Sequence, residues 1–279
     1  MKNPPISDRR LCLLLAAGAI IAGSLLLSTF TDSGEIPLFC SETISDQFFP
    51  STTTPLQLDA ILHYATSHVV PQQSFNEITV TFDVLLSISP CNFLVFGLGH
   101  DSLMWASFNP LGKTLFLEED PIWVRSILKT APDLNAVTVH YRTKQADADE
   151  LLNWYQSEPE CSPSKSYIRG NTRCKLAITG LPDHVYDQEW DVIMIDAPRG
   201  YFDEAPGRMG AIYTAAVMAR NRKSPGVTHV FLHDVNRKTE KAYAEEFLCR
   251  RNLKNSVGRL WHFEIPPAGN VTDPNAKFC

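Results

Sequence analysis

The chain predicts an α/β domain, a mostly parallel sheet with helices on both faces, standing behind a separate N-terminal segment. Three observations carry that reading. Short apolar runs recur from residue 92 onward, stretches of helical spacing separate them, and residues 11–30 form an apolar run without a single charge. Apolar strands alternating with helices are what a sheet buried on both faces requires.

The N-terminal run, LCLLLAAGAIIAGSLLLSTF, would rise about 30 Å as a helix, enough to cross a bilayer core. Lys2, Arg9 and Arg10 precede it, and Asp32 and Glu35 follow it. The positive-inside tendency therefore leaves residues 1–10 in the cytosol and the rest of the chain in the lumen. A retained signal-anchor is favoured over a cleaved signal peptide, because the run is longer than a usual signal-peptide core. Residues 31–54, which include PSTTTP, read as a polar lumenal stem, and residues 55–279 as the folded domain.

Cys40, Cys91, Cys161, Cys174, Cys249 and Cys279 follow the span, an even set that an oxidising compartment allows to pair. Their spacing does not reveal the connectivity, and free core thiols are compatible with it. No CxxC spacing is present to suggest zinc. Asn270 begins an NVT glycosylation sequon. A net charge of -6 without a basic stripe gives no footprint for nucleic acid.

Within the folded domain, PLQLDAILHYATSHVV and SFNEITVTFDVLLSIS carry helical spacing, although β-branched residues crowd the second. Ser89-Pro90 then breaks the pattern. Strands are predicted at 92–96, 114–119, 136–141, 190–196 and 228–234. DSLMWASFN, PIWVRSILKTA, DADELLNWYQSE and GRMGAIYTAAVMARNR suit the intervening helices. GRLWHFEIPP reads as a late antiparallel strand at a sheet edge, and residues 157–182, holding Cys161 and Cys174, as an insertion clipped by a disulfide.

In an open α/β sheet ligands bind beyond the carboxyl ends of the strands. The first strand delivers Gly97, Gly99, His100 and Asp101, two glycines that let backbone approach a ligand closely. The second ends in Glu118-Glu119-Asp120, about twenty residues on, the spacing at which an acidic residue accepts hydrogen bonds from ribose hydroxyls. Glu118 is the preferred one. The fourth strand ends at Asp196 and the fifth at His233-Asp234, with Asn236 beyond. Asp196, Asp234 and Asn236 offer oxygen ligands to a divalent cation, His233 a base near neutral pH, and loop capping would account for the same residue types. Arg199 and Arg208 bracket the loop after Asp196, and guanidinium forks suit the carboxylate of a uronic acid, or a nearby acidic side chain.

Together the blocks CNFLVFGLGHDSLMWASFNP, TLFLEEDPIWV, WDVIMIDAPRGYFDEAPGRM, AIYTAAVMARNR and HVFLHDVNR resemble a plant family of Golgi polysaccharide-biosynthesis proteins that includes glucuronoxylan 4-O-methyltransferases. The resemblance spans about residues 85–265, and the C-terminal stretch is most similar to the irregular-xylem branch. It implies a Rossmann-like, S-adenosylmethionine-dependent methyltransferase fold in a single-pass type II Golgi membrane protein of secondary-wall xylan synthesis. The acceptor would be xylan, methylated on glucuronic acid O4. A non-catalytic partner of xylan synthase components is the rival reading. Carried over, Gly97, Gly99, His100, Asp101 and Glu118 would hold the methyl donor. Asp196, His233 and Asp234 would face the acceptor. The acidic residue that such enzymes often carry two places before the first glycine is Val95 here.

Overall fold

The structure is a computed structural model that describes residues 53–165, 167–269, 271–273 and 276–279. The predicted span at 11–30, most of the stem, Cys12, Cys40 and the Asn270 sequon lie outside the described residues. Among the described residues no helix is long and apolar enough to cross a membrane.

Two helices precede the sheet, α1 (Pro55–Thr66) and α2 (Phe75–Ile88). Both start with a reciprocal capping box, Thr54 with Gln57 and Ser74 with Glu77. In α2 that cap and the burial of Thr81 and Leu85 outweigh the weak helix preference of its β-branched residues. The alternating part follows as β1 (Asn92–Phe96), α3 (Ser102–Ser107), β2 (Lys113–Glu118), α4 (Pro121–Thr130) and β3 (Ala136–Thr138). It continues through α5 (Ala148–Trp154), α6 (Asp183–Tyr186), β4 (Val192–Ile195), α7 (Met209–Arg220), β5 (Thr228–Leu232), α8 (Lys238–Tyr243), β6 (Leu253–Val257) and β7 (Leu260–Ile265).

Among the described residues, seven strands form one sheet in the order β3-β2-β1-β4-β5-β7-β6. All neighbours up to β5 pair parallel, while β7 runs antiparallel to both β5 and β6. This is a Rossmann-like α/β fold, a mostly parallel sheet with helices on both faces. Side chains alternate between two cores: Phe93 and Val95 pack on one face with Trp105, Val124 and Leu85, and Leu94 and Phe96 on the other with Ile212, Val217 and Phe247. That double burial is why β1 reads as an unbroken apolar run.

Three expectations need correcting. The late antiparallel strand is not at the edge; β7 sits inside the sheet, and the edge is β6, whose alternation is hidden because Lys254, Asn255 and Ser256 are all exposed. The strand predicted over 136–141 ends at Thr138. The helix α8 and the π-helical turn Ala244–Leu248 after it arise where no helix is predicted. Cys161–Cys174 does clip the 157–182 insertion, and Cys249–Cys279 ties the C-terminus to the turn after that π-helical segment. Cys91 is free and buried.

Candidate active site

The strand order reverses between β1 and β4, and a cleft of about 540 Å³ opens beyond their carboxyl ends. Gly97, Gly99, His100, Asp101, Glu118, Asp196, Arg199, Arg208 and Asp234 all line it. The reversal is what brings together loops that are distant in sequence.

On the β1–β2 side, Gly97 has φ +125° and a Cβ there would meet the Ala197 Cβ at 3.1 Å. Glycine therefore serves both the turn and the close approach of two loops. A Cβ on Gly99 would lie 2.9 Å from Asp101 Oδ1. Glu118 is buried, and its oxygens accept from the backbone N–H groups of Leu98 and Asp120, each at 3.1 Å. Burial, reinforced by the neighbouring Glu119, raises its pKa to about 7. Asp101 accepts from Trp105 Nε1 at 2.9 Å, and burial raises its pKa too, with Asp196 adding to the effect. The exposed His100 ring meets Trp123 edge-on at 5.3 Å, and Val95 lines the cleft as an apolar wall.

On the β4–β5 side, Asp196 is the hub. Its carboxylate accepts from Gln73 Nε2 at 3.1 Å and Arg208 Nη2 at 3.2 Å, and lies 2.9 Å from His233 Nδ1. Although its burial opposes ionisation, hydrogen bonding from His233 and the charge of Arg208 bring its pKa below the ordinary aspartate value. Asp234 sits in the left-handed region at φ 60°, held by Arg208 at 2.8 Å and by Arg237 and Arg259 at 2.9 Å each.

Several expectations about individual residues change here. Arg208 is not offered to a substrate: it is 4% exposed, and each guanidinium nitrogen donates inward, to the carbonyls of Pro198, His233 and Asp196 and to the two aspartates. His233 does not face an acceptor. It is 1% exposed, with Nδ1 toward Asp196 and Nε2 3.7 Å from Glu77 Oε1, so it positions Asp196. Asn236 is exposed and does not line the cleft. Arg199 is half-exposed and pairs with Glu119 at 3.3 Å and Asp120 at 3.7 Å. Asp196, His233 and Asp234 have ligand atoms close enough for a cation. Their oxygens are already engaged by three arginines and Gln73, whose charges and donors oppose a dication, so these residues do not fit one.

The residues that sequence reasoning missed come from outside the strand ends. Gln73 and Glu77 reach the site from the start of α2, and Arg259 from the β6–β7 turn, where its backbone N–H donates to Glu77 Oε1 at 2.6 Å. Their one sequence signal is the capping-box pattern at Ser74, which marks a helix start and no chemistry.

A family model described as IRX15/IRX15L/GXM matches residues 76–263. The chain is 56% identical to Arabinogalactan O-methyltransferase 1 of Arabidopsis thaliana, over 95% of each chain. It is 53% identical to Glucuronoxylan 4-O-methyltransferase 3 of the same plant, over 77% of this chain and 71% of that one. Protein IRREGULAR XYLEM 15, also from Arabidopsis thaliana, is 40% identical over 86% of this chain and 73% of its own. Identity to the irregular-xylem protein is thus below that to the two methyltransferases.

Proposed function

Because this chain belongs to the IRX15/IRX15L/GXM family, we propose that it methylates a glucuronic acid hydroxyl of a plant cell-wall polysaccharide with S-adenosylmethionine as methyl donor. The observation that carries the reading is one cleft holding a glycine loop and Glu118 on one wall and Asp196 on the other. Gly97 and Gly99 let the backbone close on the donor, and Glu118 accepts hydrogen bonds from its ribose hydroxyls. When bound, the donor supplies a methyl group on a positively charged sulfur. The acids lining the cleft, Asp101, Glu118, Glu119, Asp120, Asp196 and Asp234, outnumber Arg199, Arg208 and Arg237 and suit such a cation.

Asp196 holds the acceptor hydroxyl by accepting its hydrogen bond and takes its proton. A carboxylate of low basicity suffices, since an alcohol oxygen that gains a methyl group releases its proton readily. His233, Gln73 and Arg208 fix the carboxylate in place, so positioning supplies much of the rate.

Arabinogalactan is the acceptor we put first, supported by the higher identity to the arabinogalactan O-methyltransferase; O4 of the glucuronic acid of secondary-wall xylan is the second reading, supported by the glucuronoxylan 4-O-methyltransferase. A type II position in the Golgi membrane belongs to the same proposal, supported by the uncharged residues 11–30 and by disulfides that an oxidising lumen sustains. The full-length protein, given labelled S-adenosylmethionine and each polysaccharide, should label arabinogalactan. Label on glucuronoxylan alone would reverse the order of acceptors. No label on either, with no binding of S-adenosylhomocysteine, would replace the enzyme by a non-catalytic partner of the xylan synthase machinery.

A further inference from the structure

We propose that Tyr201 and Phe202 form a stacking platform at the cleft mouth, on which sugar rings of the acceptor flanking the methylated one lie. The inference rests on the proposed function for the class of acceptor.

Tyr201 lines the cleft and is 69% exposed, and Phe202 is 42% exposed. Their rings meet edge-on at 5.2 Å. Exposed rings are ordinary on loose loops, but this loop, residues 197–208 between β4 and α7, is fastened along its length. Gln145 N–H donates to the Ala205 carbonyl at 2.7 Å and Ala146 N–H to the Asp203 carbonyl at 3.0 Å. Thr143 Oγ1 donates to the Pro206 carbonyl at 2.8 Å, and Gly207 N–H closes the loop onto the Arg199 carbonyl at 2.8 Å. The ion pair of Arg199 with Glu119 pins the other limb. Two aromatic rings are thus held out in solvent by an ordered backbone, an arrangement the fold does not need.

A rigid aromatic pair offers contact area at little entropic cost. The partner must be apolar on its faces and polar at its rim, because Asp203, Glu204 and the half-exposed Arg199 flank the rings. A pyranose ring has that character, with C–H faces and a hydroxyl edge. An anionic bilayer does not, since the two carboxylates would meet its surface charge. Val69 and Val70, 46% and 79% exposed, line the same cleft and extend its apolar mouth. A polysaccharide is longer than one sugar and has to leave the cleft over such a surface.

The test titrates full-length protein with arabinogalactan and glucuronoxylan oligosaccharides of increasing length. Wild-type affinity should rise with length. Tyr201→Ala should weaken the longest ligands about tenfold and leave a single-sugar glucuronoside unchanged, Tyr201→Phe should stay near wild type, and Phe202→Ala should fall between. S-adenosylhomocysteine affinity should be unaltered in all three, which reports an intact cleft. Equal affinity of Tyr201→Ala and wild type for the long ligands overturns the platform, as does wild-type affinity that is independent of length or absent. If wild type binds no S-adenosylhomocysteine while the length dependence and its loss in Tyr201→Ala persist, the methyl-transfer reading falls and the platform stands.

Discussion

Glu118 and Asp196 are two carboxylates at the ends of β2 and β4, the strands on either side of β1, with pKa values moved in opposite directions. Burial beside Glu119 raises Glu118 to about 7, whereas His233 and Arg208 hold Asp196 low. A ribose hydroxyl donates best to the ionised Glu118, so donor binding should release a proton near neutrality. We expect affinity for S-adenosylhomocysteine to fall as pH drops from 8 to 6 and to be flat with pH in Glu118→Gln; calorimetry in buffers of different ionisation heat would detect the proton. For Asp196→Asn the expectation is a kcat at least about 100-fold lower with unchanged S-adenosylhomocysteine affinity. Near-normal turnover would remove Asp196 from the proton's path. Both residues are legible in the sequence because each stands where an apolar run stops. Arg208 is legible as a cation but not in its role, which depends on what surrounds it.

At the scale of elements, the start of α2 and the β6–β7 hairpin bring Gln73, Glu77 and Arg259 to the Asp196–His233–Asp234 cluster. Glu77 caps its own helix through Ser74 and also receives the Arg259 N–H. Where β7 of that hairpin pairs with β5, His229 on β5 and His262 on β7 face each other, Nδ1 to Nε2 at 3.0 Å. Burial, with His229 beside it, lowers the His262 pKa from 6.5 to about 4. The unfolded chain then takes up a proton that the folded one refuses, so this contribution is intact above pH 6.5 and is lost as pH falls toward 4. Glu118 works the other way: its raised pKa makes folding less favourable once pH exceeds the ordinary glutamate value, with the full cost above 7. Comparison of wild type with His262→Phe separates the two. Urea unfolding should show the variant gaining about 2 to 3 kcal/mol relative to wild type between pH 7.5 and 4.5. A difference that stays constant with pH would show that His262 does not carry the effect.

At the scale of the folded domain, two disulfides among the described residues fasten irregular segments to the core. Cys161–Cys174 closes the insertion over a separation of 13, and Cys249–Cys279 closes 30 residues and seats Phe278 against Tyr213 and Phe247. Removing the second with paired Ala substitutions should cost about 3 kcal/mol, read as a lower urea midpoint under oxidising conditions and no further loss on adding reductant if Cys161 and Cys174 are replaced as well. An unchanged midpoint would mean that the C-terminal bridge contributes nothing to stability.

The amino-acid sequence by itself determined the parallel α/β order, the glycine loop and the acids at the strand ends, because strand burial and the change of periodicity at a strand end are local properties. Tertiary structure alone decided which groups surround Asp196. Gln73 meets it across 123 residues, and Glu77 meets the Arg259 N–H across 182. It likewise decided that Arg208 and His233 turn inward and that an aromatic pair stays outside. Contacts over such separations form only when the chain folds back on itself, and no local pattern of residues records them.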